Sequence, residues 1–336
     1  MISEKKFKKL EEEIKKAKNI LLLTHRAPDG DAIGSLLALN LYLRKKRKKI
    51  YLFSSSLPQY LSFLPHYNKI QRKIPEKNDF DLIITVDYAD AKRIDIPLGI
   101  DIDENKVISI DHHLNLSGDK IGKLKIIDST ASSVAEVLYN FFEQIGEKIT
   151  KEIATCLLIG VFSDTIALSR LKEKSKKILV GLLEKGADIA NIAESYAKMS
   201  FSQGKILQMV LKRLKKYNKI GLIYSWLSFK DFKEIKKSFG DKENSELYLQ
   251  EPPVFPDFIS HVGEAKVYLF LVEFKSGKIK GSLRSRSKIN VAEIAKRFGG
   301  GGHREASGFF TKGTIQNVLE EVKKIIENAQ EIRYQY

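Results

Sequence analysis

The stretch NILLLTHRAPDGD, residues 19–31, decides how the first half of the chain folds. It opens with an uninterrupted apolar run, Asn19 to Thr24, and ends in the polar residues His25, Asp29 and Asp31. A run of Leu and Ile without polar alternation is typical of a parallel strand that other elements cover on both faces. The stretch therefore predicts a buried strand that delivers an imidazole and two carboxylates to one of its ends.

Three more apolar runs in the first half have the same character, at Ile50–Phe53, Asp81–Val86 and Lys106–Ile110. Helical patterns separate or follow them, at Ala32–Lys46, 131–145 and 151–162. Strands that alternate with helices in this way predict an α/β domain in which helices flank a mainly parallel sheet.

The second half of the chain has a different organisation. From about Ala190 to Lys216 the pattern is helical and strongly basic, which indicates a helix that connects two domains. Strand patterns then occupy Gly221–Leu227, Lys266–Phe274, Lys278–Leu283 and Ala306–Phe310, and helical patterns occupy Val291–Phe298 and Ile315–Ala329. They predict a smaller α+β domain. We expect domains at 1–189 and 217–336, joined by a helical linker at 190–216.

The composition bounds the class of partner and the compartment. The 336 residues include 58 Lys and Arg against 42 acidic residues, a formal net charge of +16. The surplus favours an anionic partner such as a nucleotide or a nucleic acid, and it is equally compatible with a lysine-rich codon usage. The single cysteine, Cys156, excludes a disulfide within the chain, and there is no signal-peptide or membrane-spanning stretch. We therefore expect a cytoplasmic protein that does not bind membranes.

Candidate metal ligands directly follow three of the predicted strands. The third strand leads into Asp87, and the fourth leads into Asp111, His112 and His113. Because the carboxyl ends of parallel strands meet at one edge of a sheet, we expect these side chains to lie near residues 25–31. So many carboxylates would repel one another, and bound divalent cations would relieve the repulsion. Mixed imidazole and carboxylate ligands suit manganese, iron, magnesium or zinc.

Together these motifs resemble those of the DHH family of phosphoesterases. The resemblance rests on His25–Asp31, the isolated Asp87, the triplet 111–113, and Asp164 in the sequence GVFSDT. In the second half, GSLRSR at 281–286 and GGGGHREASG at 299–308 are similar to the DHH-associated domain. The matches cover nearly the whole chain. Its length is similar to that of the stand-alone branch, which contains oligoribonucleases, pAp phosphatases and hydrolases of linear or cyclic di-AMP.

The resemblance implies a pair of divalent cations, usually manganese in this family, with magnesium or cobalt as alternatives. The implied ligands are His25 and Asp29 for one ion, Asp31, His112 and Asp164 for the other, and Asp87 as a bridge between them. Asp111 would orient the imidazoles, and His113 would contact the scissile phosphate. A metal pair can present a hydroxide in line with phosphorus, so no protein nucleophile is required.

A glycine run, Gly299–Gly302, precedes His303 in the second half. A helix C-cap needs only one glycine, so four in succession suggest a backbone that approaches a ligand closely. The resemblance implies that this domain grips the nucleotide that is not attacked, through His303 and the backbone of Gly300, Gly301 and Gly302.

Arginines near this run are the remaining candidates for substrate binding. The resemblance implies that Arg284 holds a terminal phosphate through its planar fork. Arg286 and Arg304 are further candidates, and each is equally well explained as an exposed cation near the end of a strand.

The expected function is hydrolysis of short nucleotide substrates to nucleoside monophosphates by a two-metal phosphoesterase. The substrates that the resemblance implies are very short RNA, pApA, pAp and cyclic di-AMP. An inorganic pyrophosphatase or polyphosphatase and a nucleotide sensor that does not cut remain alternatives, and a homodimer remains open. Residues 166–169, IALS, depart from the glycine and phenylalanine that relatives commonly carry there, which leaves base preference and substrate length open.

Overall fold

The computed structural model describes residues 2–74, 79–113, 121–231, 233–234 and 254–331. Contacts between Cα atoms divide the chain into two compact units, Met1–Lys198 and Met199–Tyr336, each with its own sheet and core. Among the described residues, none of the helices combines the length and the apolar character that crossing a membrane requires.

The first unit alternates strands and helices. Its strands are β1 (Asn19–Leu23), β2 (Lys49–Phe53), β3 (Ile70–Gln71), β4 (Leu82–Val86), β5 (Val107–Asp111) and β6 (Leu124–Ile127). Its α-helices are α1 (Glu4–Lys16), α2 (Gly30–Lys45), α3 (Val134–Gln144), α4 (Lys151–Asp164), α5 (Glu173–Glu184) and α6 (Ile189–Ala197). Short 3-10 helices lie at Gln59–Leu61, Tyr67–Lys69, Ala91–Arg93 and Glu104–Lys106.

The six strands of the first unit form one parallel sheet in the order β3-β2-β1-β4-β5-β6. Every residue of β4 and β5 is buried, as expected for central strands that are covered on both faces. The predicted α/β class with a mainly parallel sheet is therefore confirmed. The strand order reverses between β1 and β4, at the topological switch point where open sheets of this kind bind ligands.

The sequence analysis missed the two edge strands and two helices, α1 and α5, of the first unit. The edge strand β3 has only two residues, and the other edge strand, β6, alternates buried and half-exposed positions. Neither has the long apolar run that identified the four inner strands. Four of the first five residues of helix α5 are lysine or glutamate, which hid its buried stripe of Ser175, Ile178 and Leu182.

The continuous helix predicted from Ala190 to Lys216 is wrong. The segment contains α6, a second helix α7 (Phe201–Lys212) and a short strand β7 (Lys215–Tyr217). A capping box begins the second helix, because the Ser200 side chain accepts from the Gln203 N–H while the Gln203 side chain accepts from the Ser200 N–H. The predicted limits of the domains stay a prediction.

Helices α2 and α4 pack closely against each other through glycine. A Cβ atom at Gly34 would overlap the Cys156 carbonyl oxygen, and one at Gly160 would overlap Oδ1 of Asp31. Cys156 is buried in this contact, and burial raises the pKa of its thiol, as expected for a core residue. Glycine at position 160 therefore leaves room for a carboxylate between the helices.

The second unit contains α7, β7 and an α+β arrangement that follows them. Its further strands are β8 (Leu222–Leu227), β9 (Val267–Glu273), β10 (Lys278–Ser285), β11 (Gly301–Gly302) and β12 (Ala306–Lys312). Its further helices are α8 (Val254–Ile259), α9 (Val291–Arg297) and α10 (Ile315–Glu331), with a 3-10 helix at Asn218–Ile220.

The sheet of the second unit has the order β11-β12-β10-β9-β8-β7, in which only the β8–β9 pair is parallel. Side chains of α7 and α8 pack on one face of β8 and β9, and side chains of α9 and α10 pack on the opposite face. The prediction of a second, smaller α+β domain is confirmed.

Replacing Gly34 with Ala is expected to lower the free energy of unfolding by about 1–3 kcal/mol, because the new methyl group forces α2 and α4 apart. Gly204 in α7 is the control, since a Cβ there would meet no atom within 4 Å. Gly204→Ala should raise the free energy of unfolding by about 0.5–1 kcal/mol. Urea denaturation measures both changes, and a stabilising Gly34→Ala would contradict the close packing.

Candidate functional site

The ends of β1, β4 and β5 lie side by side, because these three strands are neighbours in the sheet. One buried, ionisable side chain follows each strand within two residues: His25, Asp87 and His112. The sheet thus brings together three segments that are remote in sequence, at the edge where the sequence predicted them.

His25 directs one ring nitrogen at Asp87. Its Nδ1 lies 2.8 Å from the Arg26 carbonyl oxygen, which can only accept, so Nδ1 carries the proton. In the neutral ring, Nε2 is then the nitrogen with a lone pair, and it lies 3.7 Å from Oδ2 of Asp87. An imidazole held through one nitrogen, with the other facing carboxylates, is the usual arrangement of a metal-binding histidine.

Asp29 and Asp31 accept hydrogen bonds from different helices. Asp29 is the N-cap of α2, and its Oδ1 accepts from the N–H groups of Asp31 and Ala32 at 3.0 and 3.1 Å. Asp31 is fully buried, and its carboxylate accepts from the N–H groups of Val134 and Ala135 at 2.6 and 2.9 Å. These two N–H groups begin α3, so the positive end of that helix stabilises a negative charge on Asp31.

Asp87 lies at the centre of the site in an uncommon backbone conformation. Its φ is +51°, a left-handed value that Asp and Asn tolerate better than other side chains. Oδ1 lies 3.6 Å from Nε2 of His112 and 3.5 Å from Nδ1 of His113. This buried oxygen accepts no hydrogen bond from the described residues. A buried polar atom without a hydrogen bond is uncommon, and binding of an ion or a water molecule is a usual explanation for one.

Asp111 fixes the two loops around the site. Its Oδ1 accepts from the N–H groups of His112 and His113, at 2.7 and 3.0 Å, and lies 2.8 Å from Nδ1 of His113. Its Oδ2 accepts from the N–H groups of Tyr88 and Ala89, at 3.3 and 3.0 Å. One carboxylate therefore positions an imidazole and also ties the loop after β4 to the loop after β5.

Neighbouring charges move the pKa values of the buried groups in opposite directions. Burial opposes ionisation of Asp87, but His112 and His25 hold the pKa of this carboxyl well below its ordinary value. Burial raises the pKa of Asp164 to about 6, although Nε2 of His112 lies 3.1 Å away. Burial, followed by the charges of Asp164 and Asp87, raises the pKa of Asp31 well above its ordinary value. Full ionisation of the carboxylates is therefore opposed in the absence of a cation, because the imidazoles offset only part of their charge.

Ligand atoms of these residues form three triads that overlap at Asp87, and in each triad one nitrogen or oxygen per residue lies within 4.8 Å of the others. The triads are His25, Asp29 and Asp87; Asp31, Asp87 and His112; and Asp87, Asp111 and His113. Backbone N–H groups already bind both oxygens of Asp111, which leaves the first two triads as the candidate cation sites, and Asp164 adjoins the second of these through His112. Imidazole nitrogen with carboxylate oxygen is a donor set that divalent transition metals accept, so these residues fit a pair of cations that share Asp87.

Three of the four glycines at 299–302 are required by the local fold of the second unit. Gly299 follows α9 with a left-handed φ of +73°, and Gly302 has a φ of +136°. A Cβ at Gly300 or Gly302 would overlap atoms of β12. Gly301 is the exception, because it is exposed and an added Cβ would meet no atom within 4 Å. Backbone conformation or packing thus explains Gly299, Gly300 and Gly302, whereas Gly301 has open surface and no local requirement for glycine.

The basic residues predicted to bind substrate lie on or near β10 and the glycine run. Arg284 is half-buried on β10, and its Nη1 donates to the Leu283 carbonyl oxygen at 3.1 Å. Arg304 is exposed and donates to the Lys288 carbonyl oxygen at 3.0 Å. Arg286 and His303 are exposed, and a role for any of the four in substrate binding stays a prediction.

The start of α3 is a part of the site that the sequence analysis missed. Ser133 caps this helix by accepting from the Glu136 N–H at 3.3 Å, and Glu136 accepts from the Ser132 N–H at 3.0 Å. The signal was present, because Ser followed three residues later by Glu is a known marker of a helix N-terminus. Nothing in the local pattern indicated that this N-terminus would bind Asp31, 103 residues away.

A strained turn follows Asp164. Ile166, Ala167 and Leu168 have φ values of +50°, +52° and +65°, so three successive residues with side chains are left-handed. Each such residue costs roughly 1–2 kcal/mol, and a β-branched residue is a marked outlier there. The turn coincides with the segment 166–169, for which the family resemblance led us to expect glycine.

Two family models match the chain. The model described as "DHH family, N-terminal domain" matches residues 19–161, and the model described as "DHHA1 domain" matches residues 256–331. The first match contains the segments that follow β1, β4 and β5. The second contains Arg284 and the glycine run.

The chain is also similar to proteins of known name along nearly its whole length. A bifunctional oligoribonuclease and PAP phosphatase NrnA of Thermus thermophilus is 27% identical, covering 92% of this chain and 91% of the relative. A probable bifunctional oligoribonuclease and PAP phosphatase NrnA of Streptococcus mutans is 28% identical, covering 96% and 99%. The crystal structure of an exopolyphosphatase-related protein from Bacteroides fragilis is 25% identical, with a TM-score of 0.81 over 99% of this chain and 98% of that one.

The affinity for Mn²⁺ is expected to fall as the pH is lowered through the pKa of Asp164, about 6. Below that pH the metal-free carboxyl is protonated and must lose its proton before it can bind a cation. One displaced proton weakens binding by roughly tenfold per pH unit. Calorimetric titration with Mn²⁺ at several pH values measures this slope.

Asp164→Asn is the control for the pH dependence, because it removes the titrating group and keeps the shape of the side chain. This variant should bind Mn²⁺ more weakly at neutral pH and with a shallower pH slope. An unchanged slope in Asp164→Asn would show that another group supplies the proton.

Proposed function

The chain belongs to the DHH family and carries its DHH and DHHA1 domains, and from that premise we propose that it is a metal-dependent hydrolase of phosphoester bonds in short nucleotide substrates. The observation that carries the proposal is the position of Asp87, whose carboxylate belongs to both triads that are candidate cation sites. A shared carboxylate between two groups of imidazole and carboxylate ligands is the arrangement that a two-metal site requires.

The two carboxylate oxygens of Asp87 point at different imidazoles. Oδ2 lies nearer to Nε2 of His25 and Oδ1 to Nε2 of His112, at 3.7 and 3.6 Å. We assign one cation to His25, Asp29 and Asp87, and the other to Asp31, Asp87, His112 and Asp164. When bound, such a pair supplies a hydroxide nucleophile and offsets negative charge on the phosphate.

His113 is the residue that we assign to the scissile phosphate. Its side chain is 19% exposed, whereas the side chains of His25 and His112 are 7% and 1% exposed. Nδ1 of His113 faces Asp111, so contact with the substrate would be made through Nε2. Asp111 would act through the imidazole, by holding its orientation.

The ion that we propose is manganese, with magnesium or cobalt as alternatives. Two imidazoles among the ligands favour a transition metal over magnesium, which prefers oxygen. Four carboxylates argue against a site built for a soft metal, which would use thiolates.

The proposed substrates are very short oligoribonucleotides, with pApA and pAp among them and cyclic di-AMP as a further candidate. Both named relatives are called oligoribonuclease and PAP phosphatase. In this proposal residues 1–189 perform the chemistry, and residues 217–336 bind the substrate through Arg284, His303 and the backbone at Gly301. Arg286 and Arg304 are secondary candidates.

A substrate panel separates this proposal from its two rivals. An inorganic pyrophosphatase or polyphosphatase would release phosphate from pyrophosphate faster than it cuts a dinucleotide. A sensor would bind nucleotide under Mn²⁺ without forming a product. Chromatography of the products from pApA, pAp, cyclic di-AMP, short RNA and pyrophosphate, with Mn²⁺, Mg²⁺ and Co²⁺ in turn, distinguishes the three.

Replacing Asp87 with Asn is expected to lower turnover of a dinucleotide by more than about 100-fold. Mutation of a residue that only supports a metal ligand already lowers metal affinity or activity by about 10–100-fold, and Asp87 is a proposed ligand itself. Asn tolerates the left-handed φ of +51° at this position, so the fold should survive. Steady-state kinetics with Mn²⁺ measure the loss, and circular dichroism checks the fold.

Asp101→Asn, at an exposed carboxylate of the same unit, is the matched control and should keep full activity. Parental turnover by Asp87→Asn, in a preparation free of other phosphodiesterases, would refute the two-metal proposal.

Arg284→Lys is expected to raise KM for a phosphorylated dinucleotide by about tenfold or more, with a smaller change in kcat, because lysine keeps the charge and loses the planar pair of donors. Arg297→Lys, at an exposed arginine in the last turn of α9, is the control. The control should leave KM unchanged. If Arg284→Lys also leaves KM unchanged on every substrate of the panel, Arg284 does not bind the phosphate.

A further inference from the structure

One face of the sheet in the second unit is partly open over β10, β12 and β11. Side chains alternate between the two faces along a strand, and residues paired across strands share a face. On β10 the buried positions are Ile279, Gly281, Leu283 and Ser285, and the half-exposed ones are Lys280, Ser282 and Arg284. The register pairs these last three with Phe310, Gly308 and Ala306 of β12.

A strip of small residues runs across the middle of this face. Ser282 of β10 pairs with Gly308 of β12, and Gly308 pairs with Gly301 of β11. An added Cβ at Gly308 would meet one atom at 3.4 Å, and one at Gly301 would meet none within 4 Å. The backbone of three adjacent strands is therefore accessible along one line, with positive charge on each side at Arg284 and Lys280.

Phe310 is an exposed aromatic residue at one end of this face. Its side chain is 59% exposed, whereas the neighbouring Phe309 is 2% exposed and stacks on Phe298 in the core. The ring of Phe310 is braced on one side by Phe274, with ring centroids 6.2 Å apart. Its other surroundings on β10 and β12 are Lys280, its cross-strand partner, and the exposed Lys312.

We propose that this face binds single-stranded oligonucleotide, with a base stacked on Phe310, and we call it the β10–β12 platform (Lys280, Ser282, Arg284, Gly301, Gly308 and Phe310). Flat strands that carry an aromatic ring between basic side chains are the usual form of a single-strand binding surface, because every base offers a ring face and every linkage a negative charge. The proposal rests on the proposed function insofar as Arg284 holds a phosphate.

The distance between Arg284 and Phe310 determines how many nucleotides a ligand needs in order to reach both residues. Arg284 and Lys280 are four residues apart on β10, which spans about 13 Å at roughly 3.4 Å per residue. A mononucleotide held at Arg284 would not reach Phe310, and a chain of several nucleotides would. The platform therefore favours oligonucleotides over mononucleotides such as pAp.

Charge distinguishes this occupant from a protein partner. A docking surface for a protein would be expected to extend the apolar area around Phe310, whereas its neighbours on the platform are lysine, serine, glycine and arginine. A nucleic acid uses both parts of the surface, the ring by stacking and the cations by contact with phosphate.

The test is equilibrium binding to the full chain in a metal chelator, which prevents hydrolysis and separates this proposal from the catalytic one. A labelled RNA pentanucleotide is the probe, and unlabelled mono-, di- and pentanucleotides compete with it in fluorescence anisotropy. Phe310→Ala should weaken pentanucleotide binding by about 5- to 100-fold, which is the effect of removing one stacked base. The loss of affinity should be smaller for the dinucleotide and smallest for the mononucleotide. Phe310→Trp should restore the affinity.

Phe201→Ala is the matched control, because this residue of α7 is 75% exposed and lies outside the platform. It should bind every competitor as the parent chain does. Gly301→Ala should also weaken pentanucleotide binding, since the added methyl group projects into the open strip and meets no atom of the fold within 4 Å. Parental pentanucleotide affinity in Phe310→Ala would overturn the proposal, and so would a loss of equal size for mono- and pentanucleotide.

Discussion

The site depends on burying several carboxylates close together without losing the fold. Asp31, Asp87 and Asp164 share one small region, and the pKa directions of Asp31 and Asp164 show that their charges repel. Backbone N–H groups oppose part of this cost: those of Val134 and Ala135 donate to Asp31, and those of Tyr88, Ala89, His112 and His113 donate to Asp111. Hydrogen bonds of this kind favour the charged form of a carboxylate and fix its direction, although at Asp31 burial and the neighbouring carboxylates still raise the pKa.

Close helix packing and local strain are the structural consequences of that arrangement. Gly160 must lack a side chain because Oδ1 of Asp31 occupies the space that a Cβ would take. The left-handed residues cluster in the same region, at Asp87 and at 166–168 directly after Asp164. Residues in such conformations persist only where the surrounding structure holds them, and they are characteristic of functional sites. The rigid α2–α4 pair and the loop held by Asp111 are the elements that do so here.

The sequence could predict those features of the fold and the site that depend on a short stretch of consecutive residues. The four inner strands were predictable because an unbroken apolar run reflects burial on both faces. The convergence of His25, Asp87 and His112 was predictable because these candidate ligands follow those runs. Edge strands, the break at Ser200 and the binding of Asp31 by α3 depend on tertiary contacts that leave little trace in a local pattern. The glycine run shows most clearly what a local pattern cannot predict. Gly300 is required because a Cβ would overlap a neighbouring strand, whereas Gly301 faces open surface, and the sequence does not distinguish the two.

The charged groups of the two units differ in sign where each is proposed to meet the substrate. The formal net charge is +16, yet the ligand cluster in the first unit is rich in carboxylates, so the basic surplus lies elsewhere. In the proposed function, an anionic substrate would be repelled by that cluster until cations neutralise it, so productive binding there would follow metal binding. Positive groups on the second unit, such as Lys280 and Arg284, impose no such order. A surface that attracts nucleic acid independently of the metal would keep substrate on the enzyme while the charge at the catalytic cluster is being neutralised.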